Sequence, residues 1–263
     1  PKPMTSPEAK PVLLIRADGN QDDAAALAEL GIETVIDPYI RIDKSTDAAG
    51  AERLLEALGN PGSKYLIATS VNAIRCFGEL VGIENLMHAI ANADDLQFAA
   101  VGARTAEALS ELGASDVLTP ELADSAALAN LLADLAEEPS GVEGQPTAII
   151  PSGLLAMKTL PNKLEAAGWN LSQGVVYTTV TVDSPPASIA AAQAGDFSAV
   201  IFRSPSAARA FLSFVPNPTM PLVAAGFTTA KVIEDAGLAV ASIPSNPTPK
   251  SVAAAVESLL KGE

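Results

Sequence analysis

Short, almost continuously apolar segments alternate along the chain with longer segments whose apolar residues recur at helical spacing. Strands that are apolar on both faces are typical of parallel sheets covered by helices, and their alternation with helices favours a doubly wound α/β fold. The pattern predicts ten strands, which divide into two five-stranded sheets. The ten segments are VLLIR (12–16), ETVIDP (33–38), YLIAT (65–69), FAAVG (98–102), a weak one at 116–118, TAII (147–150), GVVYTTV (174–180), AVIF (199–202), LVAAG (222–226) and LAVASI (238–243).

Some of these segments occur twice, in the same order, in the two halves of the chain. Each copy is an apolar run, then a turn rich in Ser, Thr or Gly, then a helical pattern. Such a turn presents main-chain N–H groups and hydroxyls at the carboxyl edge of a parallel sheet, where anions bind. The sequence therefore predicts an anion site at these turns. The pairs are YLIATSVNAIRCF (65–77) with AVIFRSPSAARAF (199–211), FAAVGARTAEALSELG (98–113) with LVAAGFTTAKVIEDAG (222–237), and, more weakly, ADSAALANLL (123–132) with TPKSVAAAVESLL (248–260).

The ends of the helical patterns carry capping signals. Gly31, Gly113 and Gly237 each follow a helical pattern and are expected to take the left-handed conformation that terminates helices. Ser204 followed by Pro205 predicts an N-cap with proline at the first helical position. Ser70 occupies the matching place in the first copy.

Composition is ordinary for a soluble α/β protein of one or two domains. Of the 263 residues, 48% are hydrophobic and 18% charged, and no apolar stretch approaches a membrane span. The start, PKPMTSPEAKP, lacks signal-peptide features and is expected to be a frayed tail, so a cytoplasmic location is the default. The net charge of −15 argues against nucleic acid and anionic membranes as partners. An anionic ligand would have to be attracted by local dipoles and a few arginines.

Several reaction classes lack the residues they need. Cys76, the one cysteine, lies in a helical pattern and is expected to be a small buried apolar residue rather than a nucleophile. His88, the one histidine, has no second His or Cys for a metal site, so neither a metal centre nor a Ser-His-Asp hydrolase is predicted. Neither GxGxxG nor GxxxxGK[ST] occurs, which argues against a nucleotide-dependent transferase.

Polar stretches suggest where domains are joined. EEPSGVEGQP (137–146) is expected to be a surface loop, and by pattern alone it favours a domain boundary near Glu143. TVDSPPASI (181–189), with its proline pair, is expected to be a linker, and PYIRID (38–43) lies at the corresponding place in the first half.

The segments together resemble the uroporphyrinogen-III synthase family over nearly the whole chain. The resemblance implies two flavodoxin-like, doubly wound parallel-sheet α/β domains joined by a two-stranded linker, with a cleft between them. Domain 1 would hold residues 1–37 and 182–263, and domain 2 would hold 38–181, which replaces the boundary near Glu143. The segments that carry the resemblance are LLIRADG, ATSVNAIRCF, AAVGARTAEAL, VVYTTV, FRSPSAARAF, AAGFTTAKVI and NPTPKSVAAAV.

The resemblance implies a cofactor-free enzyme. Because a two-stranded hinge joins domains with little shared core, we expect a monomer. Its substrate would be hydroxymethylbilane, a linear tetrapyrrole with many carboxylates. The product would be uroporphyrinogen III, formed with loss of water and with inversion of ring D through a spirocyclic intermediate. A non-catalytic two-lobed protein that binds anions or tetrapyrroles in the same cleft remains the alternative.

Tyr177 is the predicted catalytic residue, because it matches the family tyrosine and its phenol can donate a proton to a departing hydroxide. The alternative for Tyr177 is a half-buried strand residue bonded to the main chain. Arg16 ends the first strand, where its guanidinium could bind a carboxylate or simply be exposed to solvent. The remaining substrate-binding candidates are expected at five helix N-termini, unless they only cap their own helices: Ser70, Asn72, Gly102, Thr105, Ser152, Gly153, Ser204, Ser206, Thr228 and Thr229.

A few positions depart from the usual family pattern. Ser152 stands where an arginine is often found, and Lys158 is the nearest cation. Ala225 replaces a residue that is more often β-branched, and Phe227 lies in the following turn. Arg203 ranks below Arg16 as a ligand for carboxylates, because the first copy has a threonine at the equivalent place.

Overall fold

The computed structural model describes residues 9–137 and 144–262. Most of the predicted N-terminal tail and most of the predicted loop 137–146 lie outside the described residues. The chain divides into two compact units. Unit 1 consists of the described residues up to Arg41 and those from Val180 onward, and unit 2 is Ile42–Thr179.

Unit 1 is built on a parallel sheet with strand order β2-β1-β8-β9. Alternate residues of β1 enter two different apolar clusters: Leu13 lies in one, and Val12 and Leu14 lie in the other. This explains why the strand has no polar face. The elements are β1 (Val12–Leu14), α1 (Asn20–Glu29), β2 (Thr34–Ile36), α8 (Ile189–Ala194), β8 (Ala199–Phe202), α9 (Pro205–Phe214), β9 (Leu222–Ala224), α10 (Phe227–Asp235) and α11 (Pro249–Lys261).

Unit 2 has a five-stranded sheet with strand order β3-β7-β6-β4-β5. Leu66 and Ala68 of β4 enter one apolar cluster, and Tyr65 and Ile67 enter another. The elements are β3 (Ile40–Lys44), which begins in unit 1, α2 (Ala48–Leu58), β4 (Lys64–Ala68), α3 (Val71–Val81), α4 (Ile83–Asn92), β5 (Leu96–Ala100), α5 (Ala103–Glu111), α6 (Ser125–Glu137), β6 (Thr147–Gly153), α7 (Thr159–Ala166) and β7 (Asn170–Thr181), which ends in unit 1.

The chain passes between the units in two adjacent strands, β3 and β7. The N–H of Ser45 donates to the carbonyl of Val176 at 2.9 Å, and the N–H of Val182 donates to that of Tyr39 at 3.1 Å. Because the residue number rises along one strand as it falls along the other, β3 and β7 run antiparallel. The other strand pairs of unit 2 are parallel.

The predicted division into two five-stranded sheets is wrong, since the described residues form one sheet of four strands and one of five. Two predicted strands shrink to single bridges, Leu118 with Ala99 and Ser242 with Val223. The fifth strand of unit 2 is instead β3, which was not among the ten apolar segments because charged residues alternate with its isoleucines.

The capping predictions are confirmed. Gly31, Gly113 and Gly237 have φ of 72°, 98° and 79°, the left-handed region in which glycine is favoured. Ser204 is the N-cap of α9, with Pro205 at the first helical position.

The repeated turns have matching backbone conformations in the two units. Ser70 before α3 has φ −157° and ψ 155°, and Ser204 before α9 has φ −152° and ψ 156°. Gly102 before α5 has φ −169° and ψ 175°, and Gly226 before α10 has φ −164° and ψ 168°. The internal repeat found in the sequence is therefore also a structural repeat.

Candidate active site

The repeated turns follow the carboxyl ends of parallel strands in each unit. Ser70 and Gly102 lie after β4 and β5, which are neighbours in the sheet of unit 2. Ser204 and Gly226 lie after β8 and β9, which are neighbours in the sheet of unit 1. Each helix start carries roughly half a positive charge and N–H groups that the helix itself does not use. Each sheet edge thus presents two adjacent helix starts suited to anions.

The serine hydroxyls at these turns cap their own helices. The Oγ of Ser70 accepts a hydrogen bond from the N–H of Ala73 at 3.0 Å, and the Oγ of Ser204 accepts one from that of Ala207 at 3.2 Å. Gly102 and Gly226 provide no such side-chain cap. The first-turn N–H groups of α5 and α10 therefore have no capping side chain at the N-cap position.

Other predicted ligands differ in how far their side chains are exposed. Thr105 and Thr229 occupy the third position of α5 and α10, and only 5% and 3% of their surface is exposed. Thr228 is exposed, and Ser206 is half-buried in the first turn of α9. The Oδ1 of Asn72 accepts a hydrogen bond from Arg75 at 3.0 Å.

The two arginines at strand ends of unit 1 have different surroundings. Arg16 is half-buried just after β1, and its main chain exchanges hydrogen bonds of 3.2 and 2.9 Å with the amide of Asn20. The Nε of Arg203 donates to the Oδ2 of Asp23 at 2.9 Å, and a second N–H donates to the other carboxylate oxygen. A further N–H of Arg203 donates to the carbonyl of Pro247. Arg203 thus ties β8 to α1 and to the segment before α11.

The prediction that Ser152 and Gly153 lie at a helix N-terminus is wrong. Both belong to β6, which pairs with β7 up to Gly153, and an exposed segment separates them from α7, whose N-cap is Lys158. The reason is the length of β7, which offers main-chain partners to β6 beyond the apolar run that marked the strand in the sequence.

A β-bulge in β7 sets the direction of Tyr177. Ser152 is paired with Val175 and Gly153 with Tyr177, so Val176 is an extra residue in β7. Val176 is buried in the apolar cluster against which Tyr177 also packs. Because a bulge breaks the alternation of a strand, two consecutive side chains face the same cluster. The half-buried Tyr177 ring is thereby directed toward the start of α3.

Three predicted site residues from separate segments meet at this point. The hydroxyl oxygen of Tyr177 lies 3.1 Å from the Oγ of Ser70. A Cβ placed on Gly153 would lie 2.7 Å from the Cζ of Tyr177 and 3.0 Å from its hydroxyl oxygen. The ring therefore rests directly on the main chain of Gly153, with its hydroxyl at the N-cap of α3.

An open cavity of about 1100 Å³ lies within unit 2 beside Tyr177. Sequence analysis missed its three cations, Lys44, Arg53 and Arg75, which accompany three carboxylates. The signal that could have found Arg75 is its position on α3, one turn beyond the site residue Asn72. The lining residues are Ile42, Asp43, Lys44, Ser45, Thr46, Asp47, Gly50, Arg53, Arg75, Cys76, Glu79, Leu154, Gln173, Gly174, Val175, Tyr177 and Thr178.

Charged pairs balance much of the charge in the cavity. The Nζ of Lys44 lies 3.0 Å from a carboxylate oxygen of Glu79, and the Nε of Arg75 lies 3.9 Å from the other. The carboxylate of Asp47 accepts a hydrogen bond from the N–H of Ala49 and caps α2.

Cys76 lies at the cavity wall but is only 1% exposed. Burial raises the pKa of its thiol, which disfavours the reactive thiolate. The prediction that Cys76 is a buried apolar residue is confirmed.

Residues 9–137 and 144–262 contain no group of three or more His, Cys, Asp or Glu side chains that could hold a metal ion. Within the same ranges, every helix is too short or too polar to span a bilayer.

Comparison with known proteins decides among the functions that this site allows. The family model HEM4, described as uroporphyrinogen-III synthase HemD, matches residues 21–254. The chain belongs to the uroporphyrinogen-III synthase family. This confirms the family predicted from the repeated segments.

Solved structures of two uroporphyrinogen-III synthases have a similar fold. One, a mutant from the extremely thermophilic bacterium Thermus thermophilus, is 18% identical with a TM-score of 0.59, over 97% of this chain and 100% of that chain. The other, from Helicobacter pylori, is 16% identical with a TM-score of 0.61, over 95% and 99% of the two chains. Comparison with curated protein sequences gives no match.

Membership of the uroporphyrinogen-III synthase family supports an enzyme of haem biosynthesis with a small tetrapyrrole substrate. It does not favour the alternative of a non-catalytic two-lobed binding protein. The family thus agrees with the predicted enzyme class, and the observed topology confirms the prediction of a mixed α/β protein with parallel sheets.

Proposed function

We propose that the chain closes hydroxymethylbilane to uroporphyrinogen III without a cofactor, with Tyr177 as the proton donor. The observation that carries this proposal is the position of the Tyr177 phenol. It borders a cavity of about 1100 Å³ and lies 3.1 Å from the Oγ of Ser70, at the positive end of α3. A half-buried phenol beside a helix start can give up a proton, because the helix end stabilises the phenolate that remains.

The proton balance of the reaction fits a single donor. As the C–O bond of the hydroxymethyl group breaks, the departing hydroxide takes the phenolic proton of Tyr177 and leaves as water. Ring D attacks the carbon that carried the departed hydroxyl group to form the spirocyclic intermediate. The bond between ring D and its original bridging carbon then breaks, and that carbon bonds to the other α-position of ring D, which inverts the ring. The last ring closure releases a proton, which restores the phenol. The protein thus mainly orients its substrate, a task that positioned groups can perform without a strong nucleophile.

In each unit, the helix starts are proposed to bind carboxylates of the substrate. The main-chain N–H groups are the important donors, because the hydroxyls of Ser70 and Ser204 already accept capping hydrogen bonds. Thr105 and Thr229 contribute through the main chain, since their side chains are buried. Contact at a helix end is screened less than the repulsion from distant surface charge, which salt weakens over about 8–10 Å. The other proposed ligands are Arg16, Asn72, Gly102, Ser152, Gly153, Ser206 and Thr228.

The domain organisation is part of the same proposal. Residues 1–37 with 182–263 and residues 38–181 are two flavodoxin-like domains, and β3 and β7 are the two-stranded linker between them. The pairing of β3 with β7 supports this, as does the composition of the four apolar clusters, each drawn from one unit. The monomeric state and the cytoplasmic location stay predictions of the sequence.

The function is tested by incubating the protein with freshly prepared hydroxymethylbilane and separating the type I and type III products by chromatography. We expect type III product, against type I in a reaction without protein. Formation of type I alone would overturn the function.

The role of Tyr177 is tested with the Tyr177→Phe variant. Its kcat should fall by about 10²–10⁴-fold, the usual contribution of a general acid. The far-ultraviolet circular dichroism should not change, because the ring is retained. Full turnover by the variant would remove Tyr177 as the acid while leaving the function in place.

A further inference from the structure

We propose that Ser70 is a positioning residue for the reaction: its hydroxyl donates a hydrogen bond to the oxygen of Tyr177, so that the phenol keeps its own proton for donation to the substrate. This inference rests on the proposed function, because it assigns the direction of a hydrogen bond at the proton donor. It also changes the role of Ser70, which the sequence analysis placed among the substrate ligands.

The hydrogen bonds of Ser70 allow two arrangements. Its Oγ accepts the N–H of Ala73 at 3.0 Å and lies 3.1 Å from the Tyr177 oxygen. A serine hydroxyl has one hydrogen and two lone pairs, so either oxygen can donate in the second bond. If Tyr177 donated to Ser70, its proton would point away from the cavity. If Ser70 donates, the phenolic proton can be directed toward the cavity.

Electrostatics favours the arrangement in which Ser70 donates. Ser70 is the N-cap of α3, an eleven-residue helix, so the positive end of the helix dipole acts at its hydroxyl. The series of bonds from the N–H of Ala73 through Ser70 to Tyr177 polarises the phenol oxygen in one direction. A hydrogen bond donated to the charged form of a group favours that form, so the phenolate is stabilised as its proton leaves.

The repeat in unit 1 separates this role from helix capping. Ser204 caps α9 with the same kind of bond and nearly the same backbone angles as Ser70. Besides Tyr177, the chain has two tyrosines. The hydroxyl of Tyr39 is bonded to Ser188 at 2.9 Å, and Tyr65 packs in an apolar cluster of unit 2. Capping thus occurs in both copies, whereas the bond to a phenol belongs to the copy that lies beside the cavity.

The ring of Tyr177 is held in place for this bond by its own strand and the next. The bulge at Val176 turns the ring toward α3, and the missing side chain of Gly153 leaves the space that the ring fills. The ring is therefore held by the bulge and by its contact with Gly153, neither of which involves the hydroxyl of Ser70.

Two substitutions of Ser70 distinguish its hydrogen bond to Tyr177 from its role as the N-cap of α3. Ser70→Thr keeps both the capping oxygen and the donor, whereas Ser70→Gly keeps a residue that is acceptable at an N-cap and removes the donor. Thr248→Gly is the matched control, because Thr248 caps α11 in unit 1 with its Oγ1 accepting the N–H of Ser251 at 3.3 Å.

We expect Ser70→Gly to lower kcat about tenfold, with KM within about twofold of the unchanged protein. The Ser70→Thr variant should keep the kcat of the unchanged protein. A Ser70→Gly variant with raised KM and unchanged kcat would overturn the proposal and make Ser70 a substrate ligand.

A titration without substrate tests the bond itself. The tyrosinate absorbance of Tyr177 is obtained as the difference between each variant and the same variant carrying Tyr177→Phe. Its midpoint should rise by about one pH unit in Ser70→Gly, and should stay in place in Ser70→Thr and Thr248→Gly. An unmoved midpoint in Ser70→Gly would overturn the proposal. Since the titration needs no turnover, it tests the hydrogen bond between Ser70 and Tyr177 even if Tyr177 is not the proton donor of the reaction.

Discussion

The side chain of Tyr177 occupies the space that any residue other than glycine would need at position 153. The backbone of Gly153 lies in β6, so the glycine is required there by a close approach and not by a left-handed turn. Sequence reasoning selected both residues but could not relate them, because they are linked only through the register of β6 and β7. The bulge at Val176 brings the two residues together, and it cannot be recognised in the sequence VVYTT.

We expect Gly153→Ala to destabilise unit 2 by about 1–3 kcal/mol and to reduce activity, because the new methyl group overlaps the ring of Tyr177. Urea denaturation followed by the fluorescence of Trp169 measures the loss of stability.

The double variant Gly153→Ala/Tyr177→Ala should lose much less stability than the two single changes add up to, because removing the ring makes room for the methyl group. Gly226→Ala is the control, since a Cβ at that position meets open space. Additive losses in the double variant would show that Gly153 and Tyr177 do not compete for the same volume.

At the scale of helices and strands, the sequence predicted elements wherever one local signal was sufficient. The apolar runs located eight of the nine strands of the described chain, and the capping signals located helix ends. The prediction failed where pairing with a neighbouring strand decides whether a segment forms a strand. β3 has a polar alternation and forms a strand because β7 lies beside it, whereas the segments at Leu118 and Ser242 pair through single bridges.

The ion pair between Arg203 and Asp23 connects the end of β8 to α1, and both side chains are nearly buried, at 10% and 2% exposure. We expect Asp23→Ala to cost about 3–5 kcal/mol, because it leaves the guanidinium of Arg203 buried without its carboxylate. Denaturant unfolding followed by circular dichroism measures this loss.

The double variant Asp23→Ala/Arg203→Met should be more stable than Asp23→Ala alone, since no unpaired charge remains. Asp235→Ala, which breaks the exposed pair of Asp235 with Lys231, should have a much smaller effect. If the double variant is less stable than Asp23→Ala, the pair is not the reason for the loss.

At the scale of the whole molecule, the internal repeat gives each unit a sheet of mainly parallel strands between two apolar clusters and a pair of helix starts at one edge. The sequence revealed this repeat because its signals are local. The cavity of unit 2 was not predictable in the same way, since its lining comes from strands and helices far apart in sequence.

Each unit has one buried tyrosine whose pKa is raised by burial, Tyr39 in unit 1 and Tyr65 in unit 2. The unfolded chain releases these protons near pH 10, where the folded chain still holds them. Because the folded state binds more protons above that pH, the contribution of these two tyrosines to the free energy of unfolding should be constant below about pH 10 and fall as pH rises further.

Fluorescence and circular dichroism together assign the loss of stability at alkaline pH to one unit or the other. Trp169, the one tryptophan, lies in unit 2 with its ring centroid 5.1 Å from that of Tyr65, so its fluorescence reports on unit 2. Tyr65→Phe should flatten the pH dependence seen by fluorescence, whereas Tyr39→Phe should flatten only that seen by circular dichroism. A fluorescence profile unchanged by Tyr65→Phe would contradict the assignment.

The extra residue in β7 leaves the phenol opposite Gly153 although the strand is one residue longer than its partner requires. Because Val176 and Tyr177 face the same apolar cluster, loss of the single codon for Val176 would place the tyrosine directly after Val175 and leave the aromatic ring on the same face of the sheet. Relatives that carry a tyrosine in this strand can therefore be matched to Tyr177 across a one-residue gap. Within this strand, pairing with Gly153, and not the number of residues before it, decides where the phenol lies.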